Sequence, residues 1–502
     1  MHRSLRAAFM ATLLGAAVPP AQATDITPEQ AKALELQTRN WIQDTFGPGM
    51  RVADRPVQIT PEGDHYRLSI PITVTRSFKP DTIMLTGSAR SISDGRWTIE
   101  DLRVPSPSSF TFEMPTPPKP GQNEPGPPTP VDYTVTIGSQ DNQGVYDPSF
   151  ATPSTLTTSL RDLSIGATSA LTDQLTTVKR VAGTSTLRPS GVDRVDLITD
   201  SSIEGYALSS KMGDSQKMDV AAQKMRASGT VTAVSQDRIA KIIPVLARIT
   251  GTAPGMPKPG SKAPGEAPSI DPELLHTLVQ SLQDLASELT LDEAIDGLVI
   301  HYGPYGATAS QLRIGVGAKA DGGLLQAHMD FGVDGFALPD LQLGDLTDLV
   351  PHRIALRPVL SGVPTQQLLQ LLAAAGSSKD AGPQPEFASL FSRGGVSAGL
   401  ESFAIDSGGA NFTGMGSVTI DSPQQMTGQA QVTATNIDAL MQRANDIPEM
   451  ASLLPALVFA KGIGRTVENR LVWEITYRDN RLLVNGTDLS AMTSGQAGRR
   501  KK

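Results

Sequence analysis

The hydrophobic positions of this chain change period near residue 50. Between 28 and 46 they recur every three to four residues, and Leu34, Trp41, Ile42 and Phe46 fall on one helical face. Thr27 supplies an N-cap, Pro28 the first helical position, Gln30 the capping-box partner and Gly47 the stop. Beyond that point the period is two. Val57 and Ile59 lead into Pro61-Glu62-Gly63-Asp64, and Tyr66, Leu68 and Ile70 return. Ile83 and Leu85 are expected opposite Trp97 and Ile99, across Ser93-Asp94-Gly95. Leu312, Ile314 and Val316 meet Leu325, Ala327, Met329 and Phe331 across Asp321-Gly322-Gly323, and Leu471, Trp473, Ile475 and Tyr477 run to a turn at Asp479-Asn480. Alternation interrupted by polar turn residues predicts antiparallel hairpins with one buried face.

Apolar stripes of helical spacing lie between the hairpins. Ile239, Ile242, Ile243, Leu246 and Ile249 form one, kinked at Pro244. Asp271-Pro272 opens another, with Leu274, Leu275, Leu278, Leu282, Leu285 and Leu289. Gln366 to Ala375 is a third, closed by Gly376. Asn436 is placed to cap Ile437 to Ala444, and Pro448 opens a segment with Met450, Leu453, Leu454, Leu457 and Val458. The order strand, polar cap, helix recurs at Thr230–Val234, Ile354–Leu360 and Gln429–Ala434, either as a true repeat or as the ordinary texture of an α+β chain. The fold expected is α+β: a curved, mostly antiparallel, hairpin-built sheet with amphipathic helices packed on one face.

Proline and glycine punctuate this pattern. Ten prolines crowd Pro105 to Pro130 and six lie in Ala253 to Pro272, with a shorter Pro/Gly stretch at 376–386. They either separate domains or form long loops, and the hairpins on both sides favour loops. The division expected is a leader at 1–23, a helix with hairpins at 24–104, a Pro-rich loop or linker at 105–130, an elongated α+β domain at 131–490, and a basic tail at 491–502.

Composition adds compartment and exclusions. Arg3 and Arg6, an uncharged run from Ala7 to Val18, and Ala21-Gln22-Ala23 follow one another as the three parts of a secretory signal cleaved after Ala23. A run of about 12 apolar residues is short of the roughly 20 that cross a bilayer, and no transmembrane span is expected after its removal. The net charge is -8 and there is no cysteine. An acidic chain argues against nucleic acid, which needs clustered cations. Arg499, Arg500, Lys501 and Lys502 read as a solvated end. Without cysteine there is no thiol catalysis and no Cys-ligated zinc.

The remaining candidate chemistry is thin. Gly395-Val396-Ser397-Ala398-Gly399 matches the nucleophile elbow of α/β-hydrolases, but the residues around Ser397 alternate like a strand. All six histidines (His2, His65, His276, His301, His328 and His352) precede it. His301, His328 and His352 fall in separate elements without a local metal-binding spacing. Asp330, Asp334, Asp340, Asp345 and Asp348 lack calcium-loop spacing and read as turn and loop residues. Gly315-x-Gly317 and Gly414-x-Gly416 lie in strand-like runs, where glycine marks a bulge. No catalytic, cofactor-binding or metal residue is therefore assigned, and the chain is not expected to be an enzyme.

The C-terminal half resembles a known family through Gly395–Ile405, Ser407-Gly408-Gly409-Ala410-Asn411-Phe412-Thr413-Gly414-Met415-Gly416, Asn436-Ile437-Asp438-Ala439-Leu440 and Leu471–Gly486. It is similar to exported alphaproteobacterial proteins of domain of unknown function 2125 over about residues 210 to 490, and more distantly to AsmA-type envelope proteins. The resemblance implies a periplasmic or envelope setting and supplies no catalytic residue. The function expected is that of an envelope protein holding an apolar ligand or lipid. The alternatives are an assembly factor binding other envelope proteins, and a hydrolase whose site has an unrecognised geometry.

Overall fold

The computed structural model describes residues 26–46, 57–73, 78–79, 82–92, 95–116, 126–147, 150, 153–170, 172–212, 216–238, 242, 285–341, 344–376, 390–391, 395–422 and 425–490. Residues 1–23, expected to be a leader, the Pro-rich stretch 253–272, nearly all of the 239–249 stripe and the basic tail lie outside them.

Helix α1 (Pro28–Phe46) begins as its cap predicts, with the Gln30 N–H donating to Thr27 Oγ1 at 3.3 Å. The reciprocal arm of the capping box is relayed. The Thr27 N–H donates to Tyr66 Oη at 3.3 Å, and that hydroxyl donates to Gln30 Oε1 at 2.8 Å. Ala31 and Leu34 of α1 bury against Val57, Ile59, Tyr66, Leu68, Ile70, Leu85, Trp97 and Ile99. This cluster is the main core of the first of two compact units, which comprises 1–287 and 373–382.

The strands of the first unit are β1 (Gln58–Glu62), β2 (His65–Thr73), β3 (Phe78–Lys79), β4 (Thr82–Ser91), β5 (Trp97–Arg103), β6 (Ser108–Thr116), β7 (Gly126–Tyr146), β8 (Pro153–Thr168), β9 (Thr172–Gly191), β10 (Arg194–Met212) and β11 (Gln216–Ser235). Each pairs antiparallel with its neighbour in the order β1, β2, β4, β5, β7, β8, β9, β10, β11. Strand β6 pairs with the N-terminal part of β7, and β3 pairs with β6.

Two expectations are corrected here. Ile83 and Leu85 do not face Trp97 and Ile99; those two pair with Ser91 and Ala89, while Ile83 and Leu85 pair with Ile72 and Ile70 of β2. The Ile92 N–H donates to the Arg96 carbonyl at 2.8 Å, and this brings the end of β4 directly opposite the start of β5. Much of 105–130 is also strand, with Phe112 opposite Val131 and Glu113 opposite Pro130. Proline is tolerated there because β8 reaches only Asp132 of β7, so the start of β7 needs no ladder donors on that side.

The long strands β7 to β11 do not alternate uniformly. In β7 the less exposed residues are Val131, Tyr133, Val135 and Ile137; from Gln140 to Gly144 they are the even-numbered ones. The change falls where Asp162 of β8, level with Gly138, takes a φ of 51°, and Gly205 of β10 takes 63°. The register is the same on both sides of this line.

The second unit comprises 288–372 and 383–502. Its strands are β12 (Glu288–Tyr302), β13 (Tyr305–Asp321), β14 (Leu324–Asp334), β15 (Arg353–Pro364), β16 (Val396–Ser407), β17 (Ala410–Ser422), β18 (Gln425–Thr435), β19 (Arg465–Val467), β20 (Arg470–Arg478), β21 (Arg481–Val484) and β22 (Thr487–Asp488). Strands β12 to β18 pair antiparallel in sequence order and β18 pairs with β20. The edge of β20 away from β18 carries β19 and the β21–β22 hairpin. The predicted hairpin β13–β14 forms in the expected register, Ile314 opposite Phe331 and Val316 opposite Met329. The turn at Asp479-Asn480 has φ of 52° and 58° at its two central residues, the pair that lets a two-residue hairpin follow strand twist.

Helices α2 (Thr365–Gly376), α3 (Ile437–Asp446) and α4 (Leu454–Ile463) form where apolar stripes predict them. A 3-10 turn from Pro448 to Leu453 precedes α4. Leu289 is a correction: it lies in β12, not at the end of a helix, and the rest of the 271–284 stripe lies outside the described residues. Asn436 stands at the N-cap of α3 in a left-handed conformation, φ 55°, and its side chain makes no cap bond. Asp330 and Asp334 are strand residues, not loop residues. The coarse class holds: the protein is mostly antiparallel sheet with few helices.

Candidate functional site

Cross-strand register carries three unbroken apolar rows across the second unit. The first runs Ile295, Leu312, Val333, Ile354, Ile405, Phe412, Ala434, Leu471. The second runs Ile314, Phe331, Leu356, Phe403, Gly414, Val432, Trp473. The third runs Leu289, Ala318, Ala327, Leu360, Ala398, Val418, Gly428, Tyr477. Directly opposed residues share a face, and so do residues two apart on one strand. The rows therefore tile a single face, with Leu291, Val316, Met329, Leu400 and Ile475 between them. Glu293, opposite Ile314, is the charged group in that tiling.

The intervening positions on the other face carry the charged groups, among apolar residues such as Val359, Met415 and Val472. Arg357 Nη1 stands 3.5 Å from Asp330 Oδ1 and its Nε 2.9 Å from Glu401 Oε2. Arg353 reaches Asp334 at 3.4 Å and Asp406 at 3.8 Å. Apart from Glu293, alternation has placed the charged groups of this part of the sheet on that second face.

The apolar face is covered at its ends. Helix α2 brings Leu368 and Leu371 onto Leu325, Leu360, Val363 and Val396, with Leu390 and Phe391. Helix α4 brings Ala460 and Ile463 onto Phe412, Val432, Trp473 and Ile475. Trp473 Nε1–H donates to the Ala460 carbonyl at 2.7 Å and Asn485 Nδ2–H to the Ile463 carbonyl at 2.8 Å, fixing α4 to the strands. Between these clusters the face is open among the described residues. Ile314 is 38 % exposed, Met329 44 % and Val418 39 %. Eight strands at about 4.8 Å and four levels of side chains at about 6.6 Å make the tiled area roughly 34 Å by 20 Å. The shorter dimension exceeds the ~15 Å half-thickness of bilayer hydrocarbon.

Glycine serves this face by making room. A Cβ on Gly414 would lie 2.5 Å from Phe403 Cε1, so the ring lies over the glycine. Gly317, on the opposite face, gives its space to the His328 imidazole. The register runs unbroken through Gly315 and Gly317 on both sides, so they mark no bulge, whereas Gly414 and Gly416 flank one: Phe403 pairs with Gly414 and Leu400 with Gly416, which leaves Glu401 and Ser402 of β16 against the single residue Met415. The bulge reading is therefore corrected for Gly315-x-Gly317 and holds at Gly414-x-Gly416, where the bulged strand is the neighbouring β16.

The residues with catalytic or metal-binding potential are not brought together. Ser397 sits inside β16, opposite Ser361 and Thr419, and a strand, not a helix, continues after it. His301 Nδ1 is 3.4 Å from Asp340 Oδ2, and His328 Nε2 is 3.7 Å from Asp330 Oδ2, in separate places. Among the described residues no three His, Asp or Glu side chains gather as a metal site. Among them also, no helix is long and apolar enough to cross a membrane.

The open sheet face was missed by reading hairpins one at a time, although its signal is present: the alternate positions of β13 to β18 are apolar strand after strand. No curated protein matches the chain, and no solved structure does. Residues 303–489, which include all of β13 to β22, match the model of a family described as an uncharacterized protein conserved in bacteria, DUF2125, and this supports the resemblance of the C-terminal half to that family over a shorter stretch than 210 to 490.

Proposed function

We propose that this chain is an exported, non-enzymatic protein of a bacterial envelope that holds the acyl chains of a lipid on the apolar face of its second unit. The observation that carries the reading is the tiling of Ile314, Phe331, Leu356, Phe403 and their neighbours into one apolar face with no buried cluster at its centre among the described residues. An apolar surface of this extent is costly in water at about 25 cal/mol per Å², and exposed patches beyond a few hundred Å² mark binding surfaces. Packing of amphipathic helices on that same face supports the reading, since α2 and α4 close its ends as walls of a groove. Export rests on the three-part leader at 1–23, and the likeness to AsmA-type envelope proteins belongs with the same proposal.

Native mass spectrometry of protein purified from its own host tests this. Bound masses in the range of membrane lipids are expected, released by organic solvent. Protein free of lipid, and unable to take up a fluorescent fatty acid, would remove the reading. A copurifying protein in place of lipid would move it to the assembly factor.

A further inference from the structure

Helix α4 presents its apolar side outward. Its exposed residues are Pro455, Ala456, Val458, Phe459 and Gly462, which recur at intervals of three and four and so form one stripe. No polar side chain lies in that stripe. Val458 is 56 % exposed and Phe459 43 %. The neighbouring α3 does the opposite: Asp438, Gln442, Asn445 and Asp446 face water while Ile437 and Ala444 are buried. The orientation of α4 is set by its contacts. Ala460 and Ile463 pack on the sheet, and the two carbonyl hydrogen bonds from Trp473 and Asn485 hold its last turn. Rotating the helix to hide Val458 and Phe459 would break both.

From this geometry we infer that α4 docks the protein on a lipid bilayer, with Val458 and Phe459 entering the acyl boundary. A helix whose residues are apolar except for one lysine belongs in a core or against lipid, yet α4 contains no buried residue. Ten residues rise about 15 Å, too short to span and suited to lying in the interface. A second copy fits less well. Five residues of one short helix fall far short of the roughly 20 to 30 residues a side that stable protein interfaces use. The helix's own cation, Lys461, is engaged by Asp438, so the docking face is uncharged. Charge complementary to anionic headgroups follows in the chain. Leu489 packs in the same cluster as Ala460 and Ile463, and Arg499, Arg500, Lys501 and Lys502 come within 13 residues of it. The helix also covers one end of the apolar face, so a docked α4 sets that groove against the membrane. In this the inference rests on the lipid-binding reading and names its source of lipid.

Flotation with phosphatidylcholine vesicles containing phosphatidylglycerol is the test, on the protein as its host produces it. Binding is expected, with a loss of about tenfold or more in V458D/F459D while the circular dichroism melt and Trp473 fluorescence stay as in the parent. F459W should shift to the blue on vesicles and be quenched by brominated acyl chains. Equal flotation of V458D/F459D, or an F459W emission that vesicles leave unchanged, would overturn the proposal. So would a dimer in light scattering that V458D/F459D dissolves without any vesicle binding by the parent, which would assign the face to a second copy. Lipid content by native mass spectrometry separates the two readings: vesicle binding without copurified lipid removes the groove's ligand and leaves the docking helix.

Discussion

The Phe403 ring lies across Gly414 on the neighbouring strand, where a Cβ would come within 2.5 Å of ring carbon Cε1 and as close to the Gln431 carbonyl oxygen. One obstacle is a side chain and the other is backbone, so the site cannot yield by a simple rotation. Gly414→Ala is expected to cost about 1–3 kcal/mol through displaced packing, read as a lower urea midpoint. It should also reduce lipid occupancy, because the ring is central to the second apolar row.

Met329 is 44 % exposed on the same face, so a charge there has little packing to disturb. Met329→Asp should change stability by no more than about 0.5 kcal/mol and sharply lower the copurified lipid. A stable variant with undiminished lipid would remove the face as the binding surface. Trp473, buried and bonded to the Ala460 carbonyl, supplies the contrast: Trp473→Ala should cost about 3–5 kcal/mol.

Tyr66 joins the start of α1 to the first-unit core. Its hydroxyl accepts from the Thr27 N–H and donates to Gln30 Oε1 while its ring is buried beside Trp97. Burial raises the phenol's pKa, partly offset by the Thr27 N–H. Tyr66→Phe keeps the ring and removes both hydrogen bonds, and should lose about 1–2 kcal/mol in chemical denaturation. Thr27→Ala in the same background should add less than it does alone, because the two side chains serve one network.

Asp196 gives an acid-side signature. Its carboxylate accepts the Ala233 N–H at 2.8 Å, at a residue with φ of 53°, and this bond is the main cause of a pKa below the usual carboxylate range, followed by a Ser190 hydrogen bond. A carboxyl whose folded pKa is depressed contributes stability above its unfolded value and loses it as pH falls through the folded one. The parent should therefore lose urea resistance below about pH 4, and Asp196→Asn should show a shallower acid limb. Identical acid limbs would mean that the Ala233 bond does not distinguish the charged form.

Much of the local structure is legible in the sequence, for a physical reason. Side-chain alternation and turn chemistry depend on residues within a few positions of each other. Asp479-Asn480, Asp321-Gly322-Gly323 and the Thr27-Pro28 start therefore announce their turns and helix directly. Register is less legible. Asp101, with a φ of 53°, inserts an extra residue into β5, so three residues there span what two span in β4, and no local pattern counts that insertion. Leu289 reads equally well as the end of a Leu stripe or the start of a strand, and β13 as a partner decides it.

Period two by itself determined that Ile314, Val316, Met329, Phe331 and Phe403 lie on apolar sides of their strands, because alternation is a property of the backbone. Whether those sides meet another layer was decided only by the tertiary structure. Burial depends on residues far away in sequence, and here the described helices reach the ends of the face and leave its centre open. The same holds for α4. Its composition made it apolar, but the hydrogen bonds from Trp473 and Asn485 turned Val458 and Phe459 outward, since those contacts exist only once the strands have assembled.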